Sequence, residues 1–338
     1  MNKKFFNLLF FISLLFAVMG IFSEIFYYYQ ILNLESVADS EKVNQFLWIF
    51  QSIYVNIGFS GPILNIYNII FYILLLFGAL FFYFSKGKEV RLLRFFYAIL
   101  LITKIISFFV FILHRFFFKN TFVQEQEVDM KYFFYLIVPL ILILFHIFIS
   151  YWVLTVTSIN RKMKIKLKLN SENYEIVESK KIDRLIHLVI DSIIMVFVFF
   201  SITGAFVNYQ FITKNEVIPS FLNNQFGAFL ISLFIAFIYY PFFEGIFGAT
   251  PGKFLTDSRV VNPKSEIPEI STIFVRTLCR QIPFNAISFF GKKGWHDTFS
   301  KSYVVKEENE KTYTIYIIML FIFSFSFAIY WAFKDFNY

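Results

Sequence analysis

GATPGKFLTDSRVV, residues 248–261, decides between two very different proteins. Its glycine-rich part runs into Gly-Lys, as a phosphate-binding loop does. Such a loop needs four residues between its first Gly and the Gly-Lys pair, then a Ser or Thr for the metal. Here only Ala249, Thr250 and Pro251 separate Gly248 from Gly252, and Phe254 stands where the hydroxyl belongs. Pro251 also removes one backbone N–H from the cradle. The stretch does not read as a nucleotide site, and its surroundings say what it is instead.

Those surroundings are apolar. Of 338 residues, 58% are hydrophobic, with 53 Phe and 20 Tyr, and only 16% are charged. Soluble domains average about 25% charged residues and lack long apolar runs. The runs here are long and repeated, so the solvent is lipid. A net charge of +8 would suggest nucleic acid in a soluble protein. In a membrane protein it reports basic cytoplasmic loops, so no nucleic-acid partner is expected. The single cysteine, Cys279, excludes an internal disulfide framework and offers no metal cluster. No cofactor is expected.

The pattern predicts an all-α polytopic membrane protein of about seven transmembrane helices with small cytoplasmic β-hairpin elements. The spans run from Phe5 to Tyr29, Ile63 to Phe84, Leu92 to Leu113, Tyr132 to Val156, Arg184 to Val207, Phe226 to Phe247 and Tyr313 to Phe333. Each is near the ~20 residues that cross the hydrocarbon. The first is too long for a signal-peptide core and lacks a cleavage site, so it reads as a retained anchor. Continuous rather than alternating apolar runs exclude a barrel. With the N-terminus inside, most of the 31 Lys and Arg residues fall on the cytoplasmic side. The exceptions are Lys42, Arg115, Lys119, Lys131, Lys214 and Lys334 outside, and Lys104 within a span. The expected topology is therefore N-terminus cytoplasmic and C-terminus outside.

Four regions follow. Residues 1–159 are a four-helix membrane region. Residues 160–179 are a basic linker or hairpin, residues 180–306 hold two spans and a cytoplasmic loop, and residues 307–338 form the last helix. KMKIKLKLN (162–170) alternates with period two, a strand signal, and NSEN can turn it back onto YEIV. The rival reading is a basic extension lying on anionic lipid. SRVV and YVV are β-branched runs able to pair. FLWIFQSIYV (46–55) is too short to span and reads as interfacial.

Ionisable groups inside a span need a reason. Arg184, His187 and Asp191 sit at i, i+3 and i+7, on one helical face. Depth along the spans, at 1.5 Å per residue, puts Glu244 level with Arg184 and His146 level with Asp191, with Lys104 a little deeper. The expectation is an inward-opening cluster in which Arg184 pairs with Glu244, His187 can bond Asp191, and Asp191 meets His146 or Lys104. The bland alternative is a set of snorkelling and helix-locking charges. Glu24 and His114 read as interfacial.

Three pieces together, DRLIHLVID (183–191), GATPGKFLTDSRVV, and FVRTLCRQIPF followed by GKKGWHDTFSKSYVV (274–305), resemble the RDD family of bacterial membrane proteins. The resemblance places Arg184 and Asp191 at the family's Arg and first Asp. Asp297 in GWHD is the candidate for the second. The motif residues are Gly248, Thr250, Pro251, Gly252, Lys253, Arg276, Arg280, Trp295, His296 and Asp297. The resemblance also makes GATPGKF the exit turn from a span. Gly248 can end the helix with positive φ, Pro251 prevents its continuation, and Lys253 faces the helix's carbonyl end and anionic lipid. Pro283, Asn285, Lys292 and Lys293 break the region where family members often have another span, which keeps it cytoplasmic or interfacial.

The resemblance implies a small-cation and proton exchanger or another secondary transporter using the Arg/His/Asp cluster. The alternative is a non-catalytic scaffold that binds a partner or anionic lipid head groups. Catalysis is not expected: His296 and Asp297 are adjacent and make a poor dyad, and Cys279 beside Arg276 and Arg280 reads as a structural thiol.

Overall fold

The computed structural model describes residues 3–32, 62–122, 130–159, 165–167, 174–213, 225–282, 294–308 and 313–335. The segments 46–55 and 283–293 and the His114 side chain lie outside what is described. The elements are α1 (Lys3–Leu32), α2 (Pro62–Phe84), α3 (Arg91–Phe122), α4 (Met130–Ile159), β1 (Ile165–Leu167), β2 (Tyr174–Ile176) and α5 (Lys181–Thr213). They continue as α6 (Gln225–Phe247), α7 (Pro251–Leu255), β3 (Ser258–Val261), α8 (Ile270–Arg280), α9 (Trp295–Phe299), β4 (Tyr303–Lys306) and α10 (Thr314–Asp335).

Among the described residues, four helices are long and apolar enough to cross a membrane, with spans at Lys3–Ile25, Arg91–Phe109, Leu140–Ser158 and Gln225–Phe247. The other three expected spans do not reach that standard among the described residues. Ile69–Phe84 and Thr314–Ser324 are shorter apolar helices. The first turns of α5 carry Lys181, Asp183, Arg184, His187 and Asp191, which dilute its apolar run. Pro241 lies inside α6 and is buried, a tolerated place for proline where neighbouring groups satisfy the backbone.

The chain forms two compact units. One comprises residues 1–153, 207–209 and 310–338, and the other residues 154–206 and 210–309. In the first, aromatic side chains knit the helices together. Phe6 stacks on Phe82 at 4.9 Å and Phe71 meets Phe96 at 4.7 Å. Ser13 and Tyr97 share a buried 3.0 Å hydrogen bond between α1 and α3. The last helix joins this unit: Phe321 meets Phe95 edge-on at 5.9 Å, and Arg91 donates to Thr314 at 3.0 Å.

In the second unit both expected strand pairs form. β1 and β2 are antiparallel, with Lys166 opposite Glu175. β3 and β4 are antiparallel, with Val260 opposite Val304. The chain leaving β2 runs beside β4, through hydrogen bonds from Ser179 N to Val304 O (2.8 Å) and from Lys306 N to Val177 O (2.9 Å). This delivers the chain to the start of α5 already docked on the sheet. α6 ends at Phe247, and Gly248 takes φ 72°. That left-handed turn is easy for glycine alone and sends the chain back into α7. Phe254, where a nucleotide loop would need a hydroxyl, is fully buried.

Candidate functional site

The periodicity of α5 sorts its residues cleanly. Arg184, His187 and Asp191 are buried, while Leu185, Val189, Ile193 and Val196 on other faces are about half exposed. A helix with a polar buried stripe and an apolar exposed surface suits lipid outside and protein inside. The buried stripe meets α6, α7, α8 and α9 in one network.

Asp191 sits at its centre. Its Oδ1 accepts hydrogen bonds from the Tyr239 hydroxyl and the Gly252 backbone N–H, both at 2.9 Å. Its Oδ2 accepts from the Thr250 hydroxyl at 2.6 Å. Thr250 is the N-cap residue of α7, with Pro251 next to it, but its side chain makes no cap bond of its own. Asp191 therefore caps α7 from another helix, satisfying an N–H that the helix start leaves unpaired. The Thr250 hydroxyl also accepts from Lys253 Nζ at 3.2 Å.

Glu244, near the end of α6 and fully buried, gathers three cations. Lys253 donates to its Oε1 at 2.9 Å and Arg280 Nη2 to the same atom at 2.7 Å. Arg276 Nε lies 3.2 Å from Oε2. Arg280 also stacks its guanidinium over the Tyr240 ring at 3.8 Å. Asp297 closes the circuit, taking Arg184 Nη1 at 2.9 Å on Oδ2 and Arg276 on Oδ1. Arg276 reaches on to Ser302.

These partners correct the depth-based expectation. Arg184 pairs with Asp297, and at 3.4 Å with Glu178, rather than with Glu244. Glu244 is already held by Lys253, Arg276 and Arg280, which re-enter on α7 and α8. Asp191 binds Tyr239, Thr250 and Gly252 rather than His146 or Lys104. Those two belong to the other unit, where His146 Nδ1 lies 2.6 Å from the carbonyl of Leu142, one turn back. His187 bonds Thr256, not Asp191. Tyr239, Tyr240, Thr256 and Ser302 went unnoticed in the sequence. A hydroxyl in an apolar run, as in Tyr239 and Tyr240, or at a turn, as in Thr256 and Ser302, carries no periodic signal that marks it as a ligand.

Burial and charge set the ionisation of the groups beyond the spans. Burial lowers the Lys253 ammonium's pKa, with Glu244 opposing. Burial disfavours the Asp297 carboxylate, yet Arg276 and Arg184 help outweigh it and hold the carboxyl below its ordinary range. Burial, then Arg276, pushes His296 well below the ordinary histidine value, so it is neutral.

A cavity of about 30 Å³ opens into the network, bordered by Arg184, Lys253, Arg276 and Arg280, with Asp191, Asp297 and both histidines nearby. Among the described residues, no three His, Cys, Asp or Glu side chains converge as metal ligands. Residues 180–336 match the model of the RDD family. No curated protein and no solved structure matches the chain.

Proposed function

We propose, from the match of residues 180–336 to the model of the RDD family, that this part of the chain is a non-catalytic membrane module. Its buried charge network pins a small platform, α7 to β4, onto the end where α5 begins and α6 finishes. The Lys and Arg bias supports a cytoplasmic platform beneath a bacterial inner membrane. The observation that carries the reading is the state of Asp191. An ionised carboxylate offers about four acceptor positions, and Asp191 already uses three on Tyr239, Thr250 and Gly252.

An ion-exchange carboxylate needs oxygens free for the incoming cation. It also needs surroundings that do not repel one. Here four cationic side chains border the cavity against two carboxylates, a field that disfavours a cation. The platform offers the exposed apolar residues Ile270, Phe274 and Leu278 of α8 for contact with lipid or a partner.

Exchange of a small cation for a proton, or another form of secondary transport, is the second reading. One observation favours it: His187, Asp191, His296 and Asp297 all border one cavity. Proton flux in proteoliposomes under Na⁺, K⁺ or Li⁺ gradients separates the two. The module reading expects none from folded wild-type protein. Cation-dependent flux that disappears in Asp191→Asn would replace it with exchange.

A further inference from the structure

The enclosed part of the network carries more positive than negative charge. Four cations, Arg184, Lys253, Arg276 and Arg280, meet three fully enclosed carboxylates, Asp191, Glu244 and Asp297. Glu178 adds a fourth negative charge only from the edge, 3.4 Å from Arg184 and with its side chain 41% exposed. An uncompensated buried charge is costly, and the excess lies where the cavity is. All four cations border it.

A donor remains as well as charge. Arg184 is 7% exposed, yet its Nε is buried without a hydrogen bond. Buried guanidinium donors are expected to find acceptors, and guanidinium groups suit anionic oxygens and ions. The cavity, about 30 Å³, has room for about two waters or one compact ion. It is too small for a nucleotide.

We propose that this cavity binds one compact, singly charged anion, presented either as a free halide or as the phosphodiester of an anionic lipid. Its residues come from α5, α6, α7, α8, α9 and β4, so the anion completes the joint between the platform and the membrane helices. The inference extends the module reading but does not depend on the absence of ion flux.

The test uses the full chain in nanodiscs of zwitterionic lipid, in gluconate buffer at constant ionic strength. Chloride or bromide is titrated in one arm, and phosphatidylglycerol is added to the discs in the other. A saturable rise in the unfolding midpoint with halide identifies a free anion. A rise with phosphatidylglycerol alone identifies the lipid. At 100 times Kd, the folded-to-unfolded ratio rises about 100-fold. Arg280→Gln removes the excess charge and is expected to abolish the response. Lys253→Met serves the same purpose if the first variant does not fold. Wild-type protein indifferent to both anions overturns the proposal, as does an undiminished response in a folded variant.

Discussion

The backbone N–H of Gly252 donates to Asp191 Oδ1 at 2.9 Å, joining the third turn of α5 on one side to the first residues of α7 on the other. A Cβ built on Gly252 would lie 2.9 Å from that same oxygen and 3.0 Å from the His187 carbonyl. The contact therefore requires both the carboxylate and the missing side chain.

Gly252→Ala is accordingly expected to destabilise the protein by about 1–3 kcal/mol, the usual cost of forcing atoms into a packed site. At an unconstrained helix start, the same change is mild or stabilising. The apparent thermal midpoint in detergent measures the difference. An unchanged midpoint would mean that α7 can move away from α5.

Asp191→Ala is expected to cost about 2–4 kcal/mol, because three buried donors lose a charged acceptor at once. Asp191→Asn recovers only part of this, since it gives up the charge and its amide NH₂ must face the Gly252 N–H or a hydroxyl that now donates to the carboxylate. A ranking of wild type, Asn, Ala in falling midpoint is the expected result. Asn equal to wild type would show that the negative charge is dispensable.

Arg184 and Asp297 are far apart in sequence and 2.9 Å apart in space. A double-mutant cycle with Arg184→Gln and Asp297→Asn is expected to give a coupling of about 1–3 kcal/mol, since both partners are buried in one network. Additive effects would contradict the pairing.

Stability is expected to fall in acid in two stages. His296 is neutral when folded, its pKa held well below the ordinary value by burial and Arg276. The unfolded chain thus binds the extra proton first, and stability declines as pH drops below about 6.5. Asp297 has a depressed pKa, so its contribution is present above about pH 4 and is lost as pH falls through the lower folded value. His296→Gln should shrink the first stage and Asp297→Asn the second, read as midpoint against pH.

The sequence revealed the face of α5 but not its partners, and the reason is geometric. A period of 3.6 residues determines which residues of a helix point together, so Arg184, His187 and Asp191 were legible as a group. Depth along the helices points only to partners on other spans. Lys253, Arg276, Arg280 and Asp297 come instead from segments that turn back after α6, and no periodicity reports such a return. The strand pairs were readable because KIKLKL alternates and SRVV and YVV are β-branched. The capping of α7 by a residue some sixty positions away was not, since local capping signals consider only neighbours. Asp297, from the GWHD stretch, completes the circuit from Arg184 and Arg276.

Hydrogen exchange across residues 248–257, compared between wild type and Asp191→Ala, tests the pinning of the platform most directly. The account predicts strong protection in the wild type and exchange at least tenfold faster in the variant, while the interior of α6 keeps its protection. Equal protection of residues 248–257 in both proteins would contradict it, leaving Asp191 without a part in holding α7.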